Sequence, residues 1–415
     1  MFLDHSVVVN KNGTSSLRPD YKLAVILLSL GLMGKAEAGN TLPPDILEGL
    51  GGNSEVIDSL TPGQIAGQVN SSFSQSGGQN SIVSRRLLEI RKQIKEGESS
   101  DGVKVSSNGL LRGQALGGAA GDTVSAGGLL DDRLGVYVTG HFSKGDRIST
   151  EWEKGFDTDN AGVLLGADYR LTDRIVLGSA FGYTDDKSQF FHNQGHLINR
   201  GYSGSIYGSY NITDNLYFDG VFTYTHNDYE SVRELIFPDE QGRLITGSAS
   251  SSPQGDQHRF SFGAGYDLPM GSWTVGLRAR TEYGRTNINA YSEEGQTPYN
   301  LLVDKQFNDS VLTDLGWQIS YAYSTPFGVL QPQLNLDWEH EFKNNSRDIV
   351  VHYNDFNNLP STLRTNNPDR DYLVFRAGMS AILTHGISSF VQYETLLDHR
   401  YDTLHTASLG VRWEF

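Results

Sequence analysis

His226, Asp228 and His340 are residues whose types could do hydrolytic chemistry. An imidazole beside a carboxylate can act as a general base and activate water. The surrounding sequence does not develop this start. Histidines number 11 and are scattered over 415 residues, and there is no cysteine. The nucleophile pattern G-x-S-x-G, the zinc pattern H-E-x-x-H and the phosphate-binding P-loop are all missing from the sequence. No catalytic residue, metal site or cofactor is therefore expected, and the chain is not read as an enzyme. A second chemistry is electrostatic. Arg85, Arg86, Arg91, Lys92 and Lys95 fall close together, whereas the whole chain carries a formal charge of -16. That balance argues against nucleic-acid binding, which needs a basic footprint. It leaves the basic cluster to find an acidic partner within the same molecule.

The elements around that cluster begin with a targeting segment. Lys22 precedes an apolar run from Leu23 to Met33, and Ala36-Glu37-Ala38 supplies small residues at a cleavage position. This predicts a secretory signal peptide over 1–38, cut after Ala38. Residues 39–131 form a short N-terminal segment rich in Gly, Ser and Asn. Within it, Thr61-Pro62-Gly63-Gln64 reads as a capping box with proline at the first helical position. Ile65, Val69 and Phe73 follow at a spacing of four, up to Gly77-Gly78. A second helix is predicted over about 81–96, with Ile82, Leu87, Ile90 and Ile94 as its apolar stripe beneath the basic cluster. Residues 97–131 lack periodicity and read as a Gly-rich linker.

From 132 to 415 the sequence changes to period 2. Leu409, Val411 and Trp413 alternate with Gly410, Arg412 and Glu414. Trp273, Val275, Leu277 and Ala279 alternate with Thr274, Gly276, Arg278 and Arg280, and Leu334, Leu336 and Trp338 with Asn335, Asp337 and Glu339. A run of about ten residues, apolar on one face and small or polar on the other, is the signature of a transmembrane barrel strand. It also explains a mean hydropathy of -0.39 in a chain rich in Gly (47), Tyr (20) and Phe (19). A soluble sandwich would bury its Trp and Phe in one core; here every strand offers a complete apolar face. Short turns near 171–174, 212–215, 268–272, 324–328 and 385–386 alternate with longer polar segments near 145–157, 185–199, 229–255, 285–310 and 343–370 and a tighter one near 397–404. Eleven connections of this kind join twelve strands. Short turns belong to the periplasmic side and long segments to the outside, so both barrel ends lie in the periplasm. The expected fold is all-β, a 12-stranded antiparallel transmembrane β-barrel.

The stretches Gly135-Val136-Tyr137-Val138-Thr139-Gly140, Asn160 to Arg170, Val176 to Tyr183 and Leu409 to Phe415 resemble the β-domain of bacterial autotransporters, the translocators of type V secretion. Ser84 to Arg91 is similar to the family's linker helix, which sits in the barrel lumen. Geometry agrees, because 16 helical residues rise about 24 Å, close to the roughly 25 Å apolar belt of such barrels. Lumen-facing candidates are Asp168, Asp219, Asp267, Glu282, Asp337, Glu339, Glu341, Glu394 and Glu414, with Arg278, Arg280, Arg376 and Arg412 among them. This excess of acid predicts attraction for the helix carrying Arg85, Arg86, Arg91, Lys92 and Lys95. Leu409, Val411, Trp413 and Phe415 resemble the signal read by the outer-membrane barrel-assembly machinery. The resemblance implies outer-membrane lipid, the secretion translocon and that machinery as partners of a monomeric barrel. Residues 39 to about 79 are too few for a passenger domain with its own core, so little or no passenger is expected. Some family members cleave a passenger between two asparagines in the lumen; Asn80-Ser81-Ile82-Val83 has no such pair, and cleavage is not expected. A surface-display or structural barrel is the leading reading. A cation-preferring pore, or an adhesin acting through the outer segments, stands beside it.

Overall fold

A computed structural model of the chain describes residues 42–50, 52–72, 82–83, 87, 104–105, 111–112, 133–343, 345–383 and 386–414. The signal segment with Ala38, the basic residues Arg85, Arg86, Arg91, Lys92 and Lys95, and the terminal Phe415 lie outside them.

Twelve long strands close into one antiparallel barrel. They are β1 (Leu134–Arg147), β2 (Phe156–Thr172), β3 (Ile175–Phe190), β4 (Gly195–Asn211), β5 (Leu216–Pro238), β6 (Gln254–Met270), β7 (Trp273–Ile288), β8 (Gln306–Tyr321), β9 (Gly328–Glu341), β10 (Asp371–Leu383), β11 (Ile387–Leu397) and β12 (Asp402–Glu414). Each pairs with its sequence neighbours, and β12 closes on β1 from Asp402–Arg147 to Glu414–Gly135. Closure leaves no free sheet edge in the wall, which lipid would not tolerate. The period-2 pattern sets the two faces. Leu165, Phe181, Ile206, Leu277 and Leu409 point out and are exposed. Tyr183, Tyr202, Tyr224, Tyr283, Trp338 and Tyr393 lie outward near one end of the barrel, and Tyr210, Tyr266, Trp273, Tyr323 and Trp413 near the other. Two aromatic girdles around an apolar band are what a bilayer-embedded barrel needs.

Beyond the outer girdle the strands continue where sequence periodicity had stopped. Most of 185–199 belongs to β3 and β4, which meet across residues 191–194. Segment 229–255 is the upper part of β5, a return strand Leu244–Ser251 and the start of β6. Segments 285–310 and 343–370 supply a four-stranded sheet in which Tyr291–Ser292, Leu301–Val303, Asp348–Tyr353 and Leu359–Arg364 pair in that order. Much of 185–199, 229–255, 285–310 and 343–370 is therefore β-structure, whereas 148–155 between β1 and β2 is not. The linker 97–131 also holds a small ladder, Lys104–Val105 against Leu111–Arg112.

The N-terminal segment contributes two helices that periodicity did not reveal, α1 (Pro44–Gly49) and α2 (Ser54–Leu60). Asn53 caps α2 by accepting from the Glu55 and Val56 N–H groups. The capping-box reading of Thr61 does not hold. Its hydroxyl donates back to the Ile57 carbonyl at 2.8 Å, and the chain enters a 3-10 turn at Gly63–Ala66 with no side-chain cap. These helices lie on the outer sheet. Leu42, Ile46, Leu50, Val56, Leu60 and Ile65 share a buried cluster with Leu235, Phe237, Tyr299, Leu301, Val351 and Tyr353. The cluster forms a cap above the outer end of the barrel. Leu60 is 0 % exposed, so Leu60→Ala should cost the cap about 2–5 kcal/mol. Faster amide hydrogen exchange over 42–66, with barrel protection unchanged, is the expected reading.

Candidate functional site

The lumen has two unlike walls. On β1 to β5 small residues alternate with tyrosines. Tyr137 lies over Gly166 and Tyr207 over Gly178, and a Cβ at either glycine would collide with the ring. The Tyr207 hydroxyl donates to that of Tyr137 at 3.0 Å. With Leu164, Ala180 and Val221 these rings make an apolar platform, and Ile82, Val83 and Leu87 are buried on it. Residues 82, 83 and 87 are helical, as are 67–72 higher up. A helical part of the N-terminal segment thus occupies the lumen against this wall.

The opposite wall, on β6 to β11, is a lattice of ion pairs. Asp337 is fully buried between two arginines: Arg278 Nε donates to it at 2.8 Å, and Arg376 contacts both Asp337 and Glu394. Arg259 pairs with Glu282, and Arg280 Nε stands 3.8 Å from Asp314. Outside that wall, on β12 and β2 near the periplasmic end, Arg412 bridges Asp168 at 2.9 Å and Glu414 at 2.8 Å, and Arg170 reaches Glu414 at 3.1 Å. Glu341 accepts from the Val311 N–H at 2.9 Å, and Glu339 stands 4.0 Å from Arg376. Asp219 faces inward on β5, half-buried, opposite Ser209 and Gly263. These side chains lie on the less exposed side of their strands, and the wall supplies many of its own counter-charges. Arg259, Asp314 and Arg170 belong to this lattice and were not singled out from sequence. Their inward parity was the available signal. A cavity of about 390 Å³ remains beside the helical segment, bordered by Val69, Ser71, Arg278, Glu339, Arg376 and Asp402.

Above the lumen, residues 58–72 are fastened to the outer mouth. Arg233 is buried; it donates from Nη2 to Glu293 at 2.7 Å and to the Tyr299 carbonyl at 2.8 Å, and from Nη1 to the Leu60 carbonyl at 3.5 Å. Burial works against its charge, but Glu293 outweighs this and holds the guanidinium above its ordinary pKa. Ser59 Oγ accepts from the Ile236 N–H at 2.7 Å. Gln64 donates to the Gln194 carbonyl at 3.3 Å, Gln68 to the Tyr291 hydroxyl at 2.9 Å, and Ser71 to Asp186 at 3.1 Å. Asp58 meets Lys154 and accepts from Gln194 at 2.7 Å. Burial alone would raise the Asp58 pKa, yet these donors hold it below the usual carboxylate value. The contact is thus present near neutrality and is lost as pH falls through that lowered pKa.

His226, Asp228 and His340 do not converge. His226 faces outward on β5 beside Asp256 at 2.9 Å and Asp228 at 3.6 Å. His340 is on β9, with three strands in between, and has Asp371 at 2.8 Å. Among the described residues no group of three or more His, Asp or Glu side chains could hold a metal ion.

The autotransporter beta-domain family model matches residues 136–394, more than half of the chain. The chain is 24 % identical across 254 residues to Lipase 1 of Photorhabdus luminescens, covering 61 % of this chain and 38 % of that protein. It is 25 % identical across 246 residues to Outer membrane protein B of Rickettsia prowazekii, covering 58 % and 14 %. The matched region thus spans less than half the length of either relative. In fold, the translocator domain of the autotransporter NalP from Neisseria meningitidis superposes with a TM-score of 0.56 at 15 % identity, over 82 % of this chain and 98 % of that one. The β-domain of the Bordetella autotransporter BrkA gives 0.50 at 18 % identity, over 68 % and 100 %. A closed twelve-stranded barrel with two aromatic girdles, a helical segment in its lumen and this family match lead to one conclusion: the chain belongs to the autotransporter β-domain family and is an outer-membrane autotransporter β-barrel.

Proposed function

We propose that this barrel holds its own N-terminal segment threaded through the lumen and presents residues 42–66 at the cell surface. On this reading 1–38 is a signal peptide removed after Ala38, 39–131 is the threaded segment and 132–415 the barrel. The helix over about 81–96 fills the lumen, with Arg85, Arg86, Arg91, Lys92 and Lys95 toward its acidic side. The observation that carries the reading is the burial of Ile82, Val83 and Leu87 on the Tyr137–Tyr207 wall, below a cap that contains residues 42–66.

Export through the secretion translocon and assembly by the barrel-assembly machinery are part of the proposal. Leu409, Val411, Trp413 and Phe415 supply the apolar edge that the latter reads, because an exposed terminal strand can add to an open sheet. Catalysis has no part in it. Lipase activity belongs to the Photorhabdus relative, and this sequence lacks the G-x-S-x-G nucleophile pattern. The barrel works as a monomer.

A charge reversal tests the lumen assignment. Arg85→Glu, Arg86→Glu and Arg91→Glu together turn attraction into repulsion on the acidic side. Each exposed or half-wet pair contributes only a few tenths to about 1 kcal/mol, so the triple change should lower the urea midpoint of the folded barrel and raise single-channel conductance. An unchanged midpoint and an unchanged conductance would move the helix out of the lumen.

A further inference from the structure

The outer strands carrying Leu235, Tyr299, Leu301, Val351 and Tyr353 form an apolar bed above the mouth of the barrel. Left bare, these residues would make a contiguous apolar patch of the kind that marks interaction sites. They are covered by Ile46, Val56 and Leu60 from two helices of only six and seven residues. Helices that short do not persist in water by themselves. The segment therefore takes its shape from the bed, as a ligand that folds on binding does. Its polar contacts are made to the bed as well: Ser59 Oγ accepts from the Ile236 N–H, and the Leu60 carbonyl accepts from Arg233. These partners stand 177 and 173 residues apart in sequence.

We infer that this bed is a docking site for a short amphipathic segment. Its occupant is residues 42–66 of this chain, held in cis in the intact fold and supplied by a second copy when the chain's own segment is displaced. Recognition is by apolar side chains on one helical face set into a groove, and exchange of identical elements between copies follows from identical complementarity. The inference rests on the surface position of 42–66 but not on the helix over 81–96.

The test uses the full-length chain in detergent and a fluorescent synthetic peptide of residues 42–66. Ile46→Asp with Leu60→Asp empties the bed without altering any bed residue. This variant should bind the peptide at least tenfold more tightly than the unaltered chain, whose bed is filled, and peptide carrying the same two substitutions should not bind. If the double variant fails to fold, Ile46→Asp alone is measured against the same expectation. A folded variant that binds no better than the unaltered chain overturns the inference, as does equal binding of the substituted peptide. Conductance does not enter this readout, so loss of the lumen plug in a bilayer experiment would leave the binding result intact.

Discussion

Replacing Arg233 with methionine should unseat the outer cap while the barrel stays folded. The guanidinium joins three pieces of chain: its own strand β5, the segment carrying Glu293 and Tyr299, and the end of α2 at Leu60. Side chains on both sides of the ion pair are nearly inaccessible, 2 % exposed for Arg233 and 5 % for Glu293. Removing one partner strands a charge in an apolar surrounding, which typically costs 3–5 kcal/mol, whereas replacing both by apolar residues is often neutral. Arg233→Met should thus open residues 42–66 to protease, and Arg233→Met with Glu293→Leu should restore most of the resistance. Cleavage rates in the outer segments, set beside the heat-resistant migration of the barrel, check both halves of this expectation. A single variant as resistant as the original chain would show that the cap is held by its apolar contacts alone.

Deleting residues 62–97 should turn a closed barrel into a conducting one. The deletion removes the helical residues that rest on Tyr137, Leu164, Ala180, Tyr207 and Val221, and with them the polar contacts of Gln64, Gln68 and Ser71 at the mouth. What remains is a lumen lined by charged side chains such as Arg278, Asp337, Arg376 and Glu394. The intact chain should show little steady current in a planar bilayer, and the deletion should show large, stable steps with a preference for cations. Equal currents from both proteins would contradict the plug.

The membrane-spanning half of this molecule was legible in the sequence and the surface half much less so, for a physical reason. Between the girdles one face meets lipid and the other an aqueous interior, so Leu409, Val411 and Trp413 alternate cleanly with Gly410, Arg412 and Glu414. Parity alone then sends Asp168, Glu282, Asp337 and Arg412 inward. Above the outer girdle both faces of a strand are polar. Asp185 and Lys187 point out while Asp186 and Ser188 are buried, and such a run carries no period-2 signal although it is paired throughout. The cap is built from pieces too short to register: Leu301–Val303 is three residues and Asp348–Tyr353 six. Their apolar residues gain meaning only when the topology brings them over the barrel mouth. The same limit hid the ion-pair lattice. Arg412 and Asp168 are 244 residues apart, and only the closure of β12 on β1 makes them neighbours. The basic helix was expected to answer a net acidic lumen. Much of that acid is answered by barrel arginines, and Ile82, Val83 and Leu87 meet an apolar wall.

The threaded arrangement proposed above puts residues 42–66 outside the cell and the short strand turns in the periplasm. The absence of cysteine allows a direct measurement. A single cysteine is placed at Glu48, exposed on α1 in the cap, or at Asp214, exposed in a short turn at the opposite end. Intact cells are then treated with a maleimide that does not cross the outer membrane. Rapid labelling is expected at 48 and none at 214 until the outer membrane is permeabilised. Labelling at 214 on intact cells, or protection of 48 until permeabilisation, would contradict it.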